Sequence, residues 1–259
     1  MNFDVRAKYY NYYRKADDRL TKKMIELLDL EPDSTILDVG AGTGNYSTSM
    51  LNMGYNVIAL EPEKKMIEHC SDSRVEWIDS FVDHIPLPNH SINGAIIVNA
   101  IHHFKDIKKA FQELKRVVGK GPIIIVTFDP NIACKQWVFD YWPELIKYEY
   151  AHYLDFDILK QCIIDATGGK LEEYIYELPY DFKDTFAASL WKRPHLLLEH
   201  DDLRYSMSIF SSMDNKSFND GLNKLKHDIL SHNWENKYYY LLDKTEWDVG
   251  CRLLKLMIY

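Results

Sequence analysis

The stretch from Ile36 to Gly44 limits the possible folds more than any other part of this 259-residue chain. It reads Ile-Leu-Asp-Val-Gly-Ala-Gly-Thr-Gly, in which residues suited to a buried strand precede glycines at every second position. The next segment, Asn45 to Met53, can form a helix. Because glycine allows positive φ angles and leaves room for a ligand, this strand, turn and helix predict a nucleotide site at the carboxyl edge of a parallel sheet.

The spacing of the glycines indicates which kind of nucleotide the turn can bind. A dinucleotide-binding turn reads Gly-x-Gly-x-x-Gly, whereas Gly40, Gly42 and Gly44 are separated by single residues. No Gly-Lys-Ser/Thr follows, so the pattern is not that of a P-loop. The spacing therefore disfavours a nicotinamide-dependent oxidoreductase, which is retained as the less favoured alternative.

Composition and charge bound the class of protein. With 46% hydrophobic and 27% charged residues, the chain is typical of one globular domain with a sizeable core. No apolar run approaches the ~20 residues of a membrane span, and Met1 to Leu20 is too polar for a signal peptide. We therefore expect a cytoplasmic protein that does not bind membranes.

The cysteines and basic residues exclude further classes. The cysteines lack the spacing of a zinc site, so we expect reduced thiols and no metal: Cys70, Cys134, Cys162 and Cys251. A net charge of −8 argues against a nucleic-acid partner. The basic residues that cluster fit the solvated face of a helix: Lys105, Lys108, Lys109, Lys115 and Arg116.

The glycine motif resembles a known family. Leu37-Asp38-Val39-Gly40-x-Gly42-Thr43-Gly44 is similar, residue for residue, to the first cofactor motif of the class I S-adenosylmethionine (SAM)-dependent methyltransferases of the small-molecule type. The resemblance covers most of Phe3 to Phe128. It implies a doubly wound, Rossmann-like α/β fold with a seven-stranded sheet whose last strand is antiparallel, SAM as cofactor, and methyl transfer as activity.

Glu61 is the strongest candidate for binding the ribose. It follows the second predicted strand, Asn56 to Leu60, about 20 residues after the glycine turn, where an acidic side chain can accept hydrogen bonds from both ribose hydroxyls. The alternative is an acid at the N-terminus of the next helix.

The resemblance implies further cofactor contacts. An N-terminal segment with Tyr10 and Arg14 would close over the cofactor, although a surface amphipathic helix is an equally good interpretation. The backbone of Phe81 and Val82 would meet the adenine, and Asp79 and Asp83 both remain possible partners of its amino group. The full predicted set is Tyr10, Arg14, Asp38, Gly40, Gly42, Gly44, Glu61, Phe81, Val82, Asn99 and His102.

The loop after the predicted strand Ile92 to Val98 should reach the methyl-transfer end of the site. His102 stands where the resembled family commonly has histidine, and His103 is the candidate acid or base. A structural or stacking role for His103 is the alternative, since methyl transfer to some acceptors needs no base.

Alternating strand and helix patterns from Ser34 to Leu178 predict the sheet, and Gly250 to Tyr259 its last strand. We predict one methyltransferase domain whose core covers about 16–128, 154–178 and 246–259. The N-terminal segment 1–15 would cover the cofactor, and 129–153 and 180–245 would be helical insertions.

The insertions are rich in aromatic residues. They predict a lid over the carboxyl edge of the sheet and a small or peptide-like substrate with an apolar or aromatic body. The candidate substrate contacts are Trp137, Tyr141, Trp191 and Arg193. For any one of these residues, a place in a small core between helices is the stronger interpretation. A SAM-binding protein without catalysis is a second alternative function.

Overall fold

The computed structural model describes residues 9–211 and 213–259, which form two compact units. The sheet unit comprises Ala16–Phe128, Leu154–Ile175 and Arg252–Tyr259. The helical unit comprises Met1–Lys15, Asp129–Tyr153 and Tyr176–Cys251. The first eight residues of the predicted cofactor-covering segment 1–15 lie outside the described residues.

Strands and helices alternate through the sheet unit. The strands of the described chain are β1 (Thr35–Val39), β2 (Asn56–Leu60), β3 (Glu76–Ile78), β4 (Gly94–Val98), β5 (Gly121–Phe128), β6 (Lys170–Ile175), β7 (Leu178–Pro179), β8 (Glu246–Trp247) and β9 (Cys251–Ile258). The helices of the sheet unit are α1 (Asp18–Leu28), α2 (Asn45–Asn52), α3 (Lys64–Ile67), α4 (Ile107–Val118) and, after three helices of the other unit, α8 (Phe156–Thr167).

Seven of these strands form one sheet in the order β3-β2-β1-β4-β5-β9-β6. The pairs β1–β2, β2–β3, β1–β4 and β4–β5 are parallel, and β6 pairs antiparallel with β9. Because parallel strands end at one edge, the segments after β1, β2, β3, β4 and β5 emerge side by side. The predicted Rossmann-like α/β fold is confirmed.

The sequence pattern explains why helices cover this sheet. Helix α1 buries an apolar stripe that includes Leu20, Met24 and Leu27, and the side chain of Asp17 caps it by accepting from the N–H of Arg19. Helix α4 packs against α8, and both cover one face of the central strands. Strands β4 and β5 are almost entirely buried, which is why they read as continuous apolar runs.

The helical unit has a core of aromatic side chains. Its short helices are α5 (Pro130–Ala133), α6 (Val138–Tyr141), α7 (Leu145–His152), α9 (Leu196–Glu199), α10 (Ser208–Ser211), α11 (Asn215–Leu230), α12 (Asn233–Lys237) and α13 (Tyr239–Leu242). Trp142 is fully buried, with the rings of Phe210 and Phe218 at 5.0 and 5.7 Å, and its indole N–H donates to the carbonyl of Phe218 at 3.1 Å. Strands β7 and β8 pair antiparallel in the same unit.

Several predicted boundaries are wrong for local reasons. The sequence predicts a third strand from Arg74 to Ile78, but the strand begins at Glu76, because the N–H and guanidinium of Arg74 bond to Asp72 and hold a turn. It also predicts a sixth strand from Leu171 to Leu178, but that strand ends at Ile175, and Leu178 pairs instead with Trp247.

Two helix caps in the helical unit also differ from prediction. Ser217 and Asp220 predict a capping box, but Asp214 is the cap of α11, and it accepts from both the N–H and the hydroxyl of Ser217. Asp201 predicts the cap of a helix through Leu203, Met207 and Phe210, but the structure has a 3-10 turn, Leu203–Ser206, followed by the short α10.

Within residues 9–211 and 213–259, no helix combines the length and the apolar character needed to cross a membrane. The cytoplasmic location stays a prediction.

Candidate functional site

The glycine turn after β1 has the backbone conformation that its sequence predicts. Gly40, Gly42 and Gly44 have φ angles of +69°, +60° and +78°, which side-chain-bearing residues rarely adopt. A Cβ on Gly40 would lie 2.5 Å from the Cβ of Ala100. Glycine at position 40 is therefore required both by its φ angle and by the close approach of the segment after β4.

Glu61 stands directly beside this turn. The parallel register of β1 and β2 pairs Val39 with Leu60, so the residues that follow each strand meet at the sheet edge. The Glu61 side chain is buried, and its two oxygens accept from the N–H groups of Gly42 at 2.9 Å and Glu63 at 3.0 Å. Because each carboxylate oxygen has more than one acceptor position, Glu61 is held in place and can still accept from ligand hydroxyls.

Asp38 joins the strand to the helix that follows the turn. It is 2% exposed, and it accepts a 2.6 Å hydrogen bond from the hydroxyl of Ser47 in the first turn of α2. Burial, and to a lesser degree the nearby charge of Glu61, raise the pKa of Asp38 to about 7, although the hydrogen bond from Ser47 opposes them. Sequence reasoning missed Ser47, whose signal was a hydroxyl residue three positions after the last glycine.

Two buried polar atoms lie at the ends of β4 and β5. Asn99 has a φ of +52°, its N–H donates to the carbonyl of Val126, and its Oδ1 is buried with no partner among the described residues. On the neighbouring strand, the hydroxyl of Thr127 is also buried and unpaired within the described chain. An unpaired buried polar atom costs about 1–3 kcal/mol, so this pair indicates a ligand that would satisfy it.

Thr127 was not predicted as a site residue. A single polar residue within the apolar run from Pro122 to Phe128 was its only signal in the sequence. Asn99 was predicted, and its positive φ is an observation that the sequence did not indicate.

The two histidines follow Asn99 in a 3-10 turn, Ile101–His103. Their ring centroids are 4.0 Å apart, with His102 partly buried and His103 exposed. The structure therefore brings both next to the end of β4, as the sequence predicts, while their roles stay predictions.

The loop after β3 carries the predicted adenine contacts. Phe81 is 53% exposed, and the ammonium of Lys105 lies 5.0 Å from the centroid of its ring. The side chain of Val82 belongs to the hydrophobic core, so only its backbone can meet a ligand. Asp79 and Asp83 both pair with lysines, Lys64 and Lys109, and the choice between the two acids stays open.

Tyr10 and Arg14 belong to the helical unit. Arg14 is buried and paired with the equally buried Asp184, and its guanidinium lies 4.9 Å from the centroid of the Tyr10 ring. No pattern in the sequence indicated Asp184 as a partner of Arg14. A role of Arg14 at the cofactor carboxylate stays a prediction.

The four predicted substrate residues have structural partners inside the helical unit. Trp137 and Trp191 are buried, and their indole N–H groups donate to the carbonyls of Trp191 and Leu178. The hydroxyl of Tyr141 donates to Asp228 at 2.9 Å. The guanidinium of Arg193 donates to the carbonyls of Phe182 and Ser189. These contacts favour the alternative of a small core between helices.

The residues at the sheet edge fit a nucleoside cofactor. The glycine turn leaves space where a Cβ would clash, Glu61 presents a fixed carboxylate, and Asn99 and Thr127 present unsatisfied polar atoms. Together with the strand order and the antiparallel closing pair, this site defines the class I SAM-dependent methyltransferases.

The comparisons with known proteins agree. A family model described as a methyltransferase domain matches residues 37–126. A crystal structure described as a putative methyltransferase from an antibiotic biosynthesis pathway of Anabaena variabilis is 33% identical, with a TM-score of 0.90, over 95% of this chain and 99% of that one. The chain therefore belongs to the SAM-dependent methyltransferase family, and its cofactor is S-adenosylmethionine.

Two further proteins are similar to this chain at lower sequence identity. Malonyl-[acyl-carrier protein] O-methyltransferase of Yersinia pestis is 26% identical over 125 residues, which are 48% of this chain and 47% of that protein. The match thus spans about half the length of this curated relative. Phosphoethanolamine N-methyltransferase 2 of Haemonchus contortus, solved with S-adenosyl-L-methionine, shares the fold at 12% identity and a TM-score of 0.64, over 98% of this chain and 57% of that one.

Proposed function

We propose that this protein transfers the methyl group of SAM to an oxygen, nitrogen, sulfur or carbon atom of a small or peptide-like substrate with an apolar or aromatic body. The observation that carries the proposal is the Glu61 carboxylate, fixed by the backbone N–H of Gly42 at the open glycine turn. Nucleic acids and membranes are not part of the proposal, because the chain is acidic.

The similarity to the Anabaena variabilis structure supports the proposal of a small or peptide-like substrate. That protein is described as part of an antibiotic biosynthesis pathway, and the likeness extends over 95% of this chain, including the segments that form the helical unit. We base the proposal of a small or peptide-like substrate on that description together with the aromatic-rich insertions.

Each residue at the sheet edge has a distinct part in the proposed reaction. When bound, SAM supplies a sulfonium methyl group that an acceptor atom can attack in line. Glu61 would accept hydrogen bonds from the ribose hydroxyls, and the N-terminal N–H groups of α2 would face negatively charged groups. Asn99 and Thr127 would pair with polar atoms of the cofactor at the ends of β4 and β5.

Methyl transfer also requires that the acceptor atom be oriented toward the methyl group. Much of the acceleration of methyl transfer comes from holding the acceptor in line in a site that excludes water. His103, exposed beside His102, would accept a proton only if the acceptor must lose one.

Calorimetry with SAM tests the cofactor site. Since hydrogen bonds to a charged group contribute about 1.5–3 kcal/mol each, we expect Glu61→Ala to weaken SAM binding by at least about tenfold. Glu68→Ala, which changes an exposed acid beyond α3, is the matched control and should bind like the wild type. Binding of NADH in place of SAM, or equal SAM affinity in both variants, would overturn the site assignment.

Catalysis is tested separately by measuring S-adenosylhomocysteine released in the presence of candidate acceptors. Tight SAM binding with no release for any acceptor would support the alternative of a cofactor-binding protein. His102→Ala and His103→Ala should be assayed for both turnover and SAM affinity. If both variants keep full turnover, neither histidine has a catalytic role.

A further inference from the structure

The helical unit contains a cavity of its own, of about 320 Å³, lined by Tyr9, Tyr12, Tyr13, His200 and Asp202. Four of these five residues have aromatic rings, and the fifth is a carboxylate. All of them come from two segments of the same unit, the helical residues 9–13 and the chain after α9. None of them was named as a cofactor or substrate contact, although Tyr9, Tyr12 and Tyr13 lie in the segment 1–15 that was predicted to cover the cofactor.

The rings line the cavity at different angles. The Tyr12 and Tyr13 rings are nearly perpendicular, at 83° and 4.7 Å between centroids, and the His200 ring meets Tyr13 at 61° and 5.9 Å. Tyr9 is supported from behind by Tyr205, whose ring is stacked at 5.9 Å. Aromatic faces are negative at their centres, so rings arranged around one space attract a cation.

The carboxylate adds a formal negative charge to this space. Asp202 accepts a 2.5 Å hydrogen bond from the hydroxyl of Tyr13, which is almost completely buried. Burial and the neighbouring Asp202 raise the pKa of Tyr13, so its hydroxyl remains a hydrogen-bond donor. The bond also holds the carboxylate beside Tyr13, another residue that lines the cavity.

Cationic side chains of the chain itself lie on aromatic rings in this part of the unit. The Lys15 ammonium lies 6.0 Å from the centroid of the Tyr12 ring, and the Tyr12 side chain is 66% exposed. The nearby Arg204 has its guanidinium over Phe218 at 4.1 Å and bonded to Asn215 at 2.9 Å. The guanidinium of Arg204 is thus engaged with the core of the unit.

From this cavity we infer a second binding site, for a small organic ammonium ion, held between the rings of Tyr9, Tyr12 and Tyr13 with Asp202 as its counter-ion. An anion is disfavoured by the carboxylate, and a neutral apolar ligand would leave the charge unpaired. A volume near 320 Å³ is at the low end for ligand sites, which fits an alkyl- or arylammonium group. The inference does not depend on the proposed methyl transfer.

The test uses choline chloride as the probe and 3,3-dimethyl-1-butanol as its neutral isostere, in NMR titrations of the full chain with labelled tyrosines. Choline should shift tyrosine ring resonances, and the isostere at the same concentration should not. Asp202→Asn should weaken choline binding by about tenfold and Tyr12→Ala by about threefold to fivefold. The matched controls in the same unit, Asp243→Asn and Tyr239→Ala, should bind choline like the wild type.

Equal binding of choline and its isostere, or no binding of either, would overturn the inference. So would equal choline affinity in Asp202→Asn and Asp243→Asn. Because Tyr12 is exposed, Tyr12→Ala keeps the test valid if the Asp202 variant fails to fold. SAM affinity should be unchanged in Asp202→Asn, and its loss there would assign the cavity to the cofactor instead. Failure of SAM binding in the wild type would affect only the proposed function.

Discussion

At the scale of single residues, the glycine turn shows how conformation and space act together. Gly40 and Gly54 both have positive φ angles, +69° and +92°, so an added Cβ is strained at either position. Only at Gly40 does it also meet another atom, the Cβ of Ala100 at 2.5 Å, whereas nothing lies within 4 Å at Gly54. The two positions therefore separate backbone strain from steric overlap.

We predict that Gly40→Ala lowers the free energy of unfolding by about 2–4 kcal/mol, since strain and overlap add. Gly54→Ala should cost only about 1 kcal/mol, from strain alone. Urea unfolding followed by circular dichroism measures both. Equal losses in the two variants would show that the contact with Ala100 relaxes without cost.

Asp38 should make stability depend on pH. Its pKa is raised from 3.8 to about 7 in the folded protein, so the native state binds the proton more strongly than the unfolded state does. Stability from this group is therefore present at low pH and decreases as pH rises from about 4 to about 7. The decrease amounts to at most about 4 kcal/mol, at 1.4 kcal/mol for each pH unit between the two pKa values.

The variant Asp38→Asn tests whether stability decreases in this way as the pH rises. Asparagine keeps an oxygen that accepts from Ser47 but does not ionise, so the variant should lose less stability than the wild type between pH 5 and pH 8. Urea unfolding at several pH values gives the comparison. A Ser47→Ala control should lose more stability than the wild type as the pH rises, because the hydrogen bond from Ser47 lowers the pKa of Asp38. Parallel pH profiles for wild type and Asp38→Asn would contradict the raised pKa.

Some site residues could be predicted from the sequence and others could not. Asp38, Glu61 and the glycines belong to one strand-turn-helix pattern with the next strand end, so local spacing predicts that they meet. Thr127 and Asp184 carry no such pattern, because their importance comes from what is packed around them. The role of a polar residue in an apolar strand can be inferred only when the residues packed around it are known.

At the scale of elements, helix α11 contains a glycine that is explained by packing. A Cβ on Gly221 would lie 2.2 Å from Nε1 of Trp142, the fully buried indole at the centre of the aromatic core. The same indole N–H bonds to the carbonyl of Phe218 in α11. Glycine costs a helix about 1 kcal/mol relative to alanine, which is offset here by the close approach of the tryptophan.

We expect Gly221→Ala to destabilise the protein by about 2 kcal/mol or more, although alanine is the better helix former, because the core cannot accommodate the added methyl group. Asn219→Ala, at an exposed position of the same helix, is the control and should change stability by less than about 0.5 kcal/mol. Thermal unfolding measures both. A stabilised Gly221→Ala would show that helix propensity outweighs this contact.

Elements of the sheet unit were predictable because each has its own hydrophobic period. Asn56–Leu60 and Phe156–Thr167 follow the expected strand and helix, since alternation and the glycine after the helix are local signals. The cap of α11 in the helical unit was mispredicted because an acid and a hydroxyl residue compete at its start. Asp214 precedes Ser217 and takes the N-cap that the sequence pattern also offers to Ser217.

At the scale of the whole molecule, the chain passes between the two units repeatedly. The helical unit is assembled from three segments that are distant in sequence, and Arg14 of the first pairs with Asp184 of the last. Cutting out 180–245 would therefore remove Asp184, the buried partner of Arg14, and the loss of one partner of a buried ion pair costs about 3–5 kcal/mol. A deletion could abolish activity through misfolding alone, so the predicted lid needs a test on the intact chain.

The lid proposal predicts how the intact chain responds to S-adenosylhomocysteine. The segment 129–153 begins where β5 ends, at the sheet edge that carries Asn99 and Thr127, and a lid would close there when the site is filled. Amide hydrogen exchange should then slow in the glycine turn and also in 129–153 and 176–251. Glu61→Ala at the same concentration of S-adenosylhomocysteine is the control and should show much less protection in both units, since it changes only affinity. Protection confined to the sheet unit in the saturated wild type would exclude a lid.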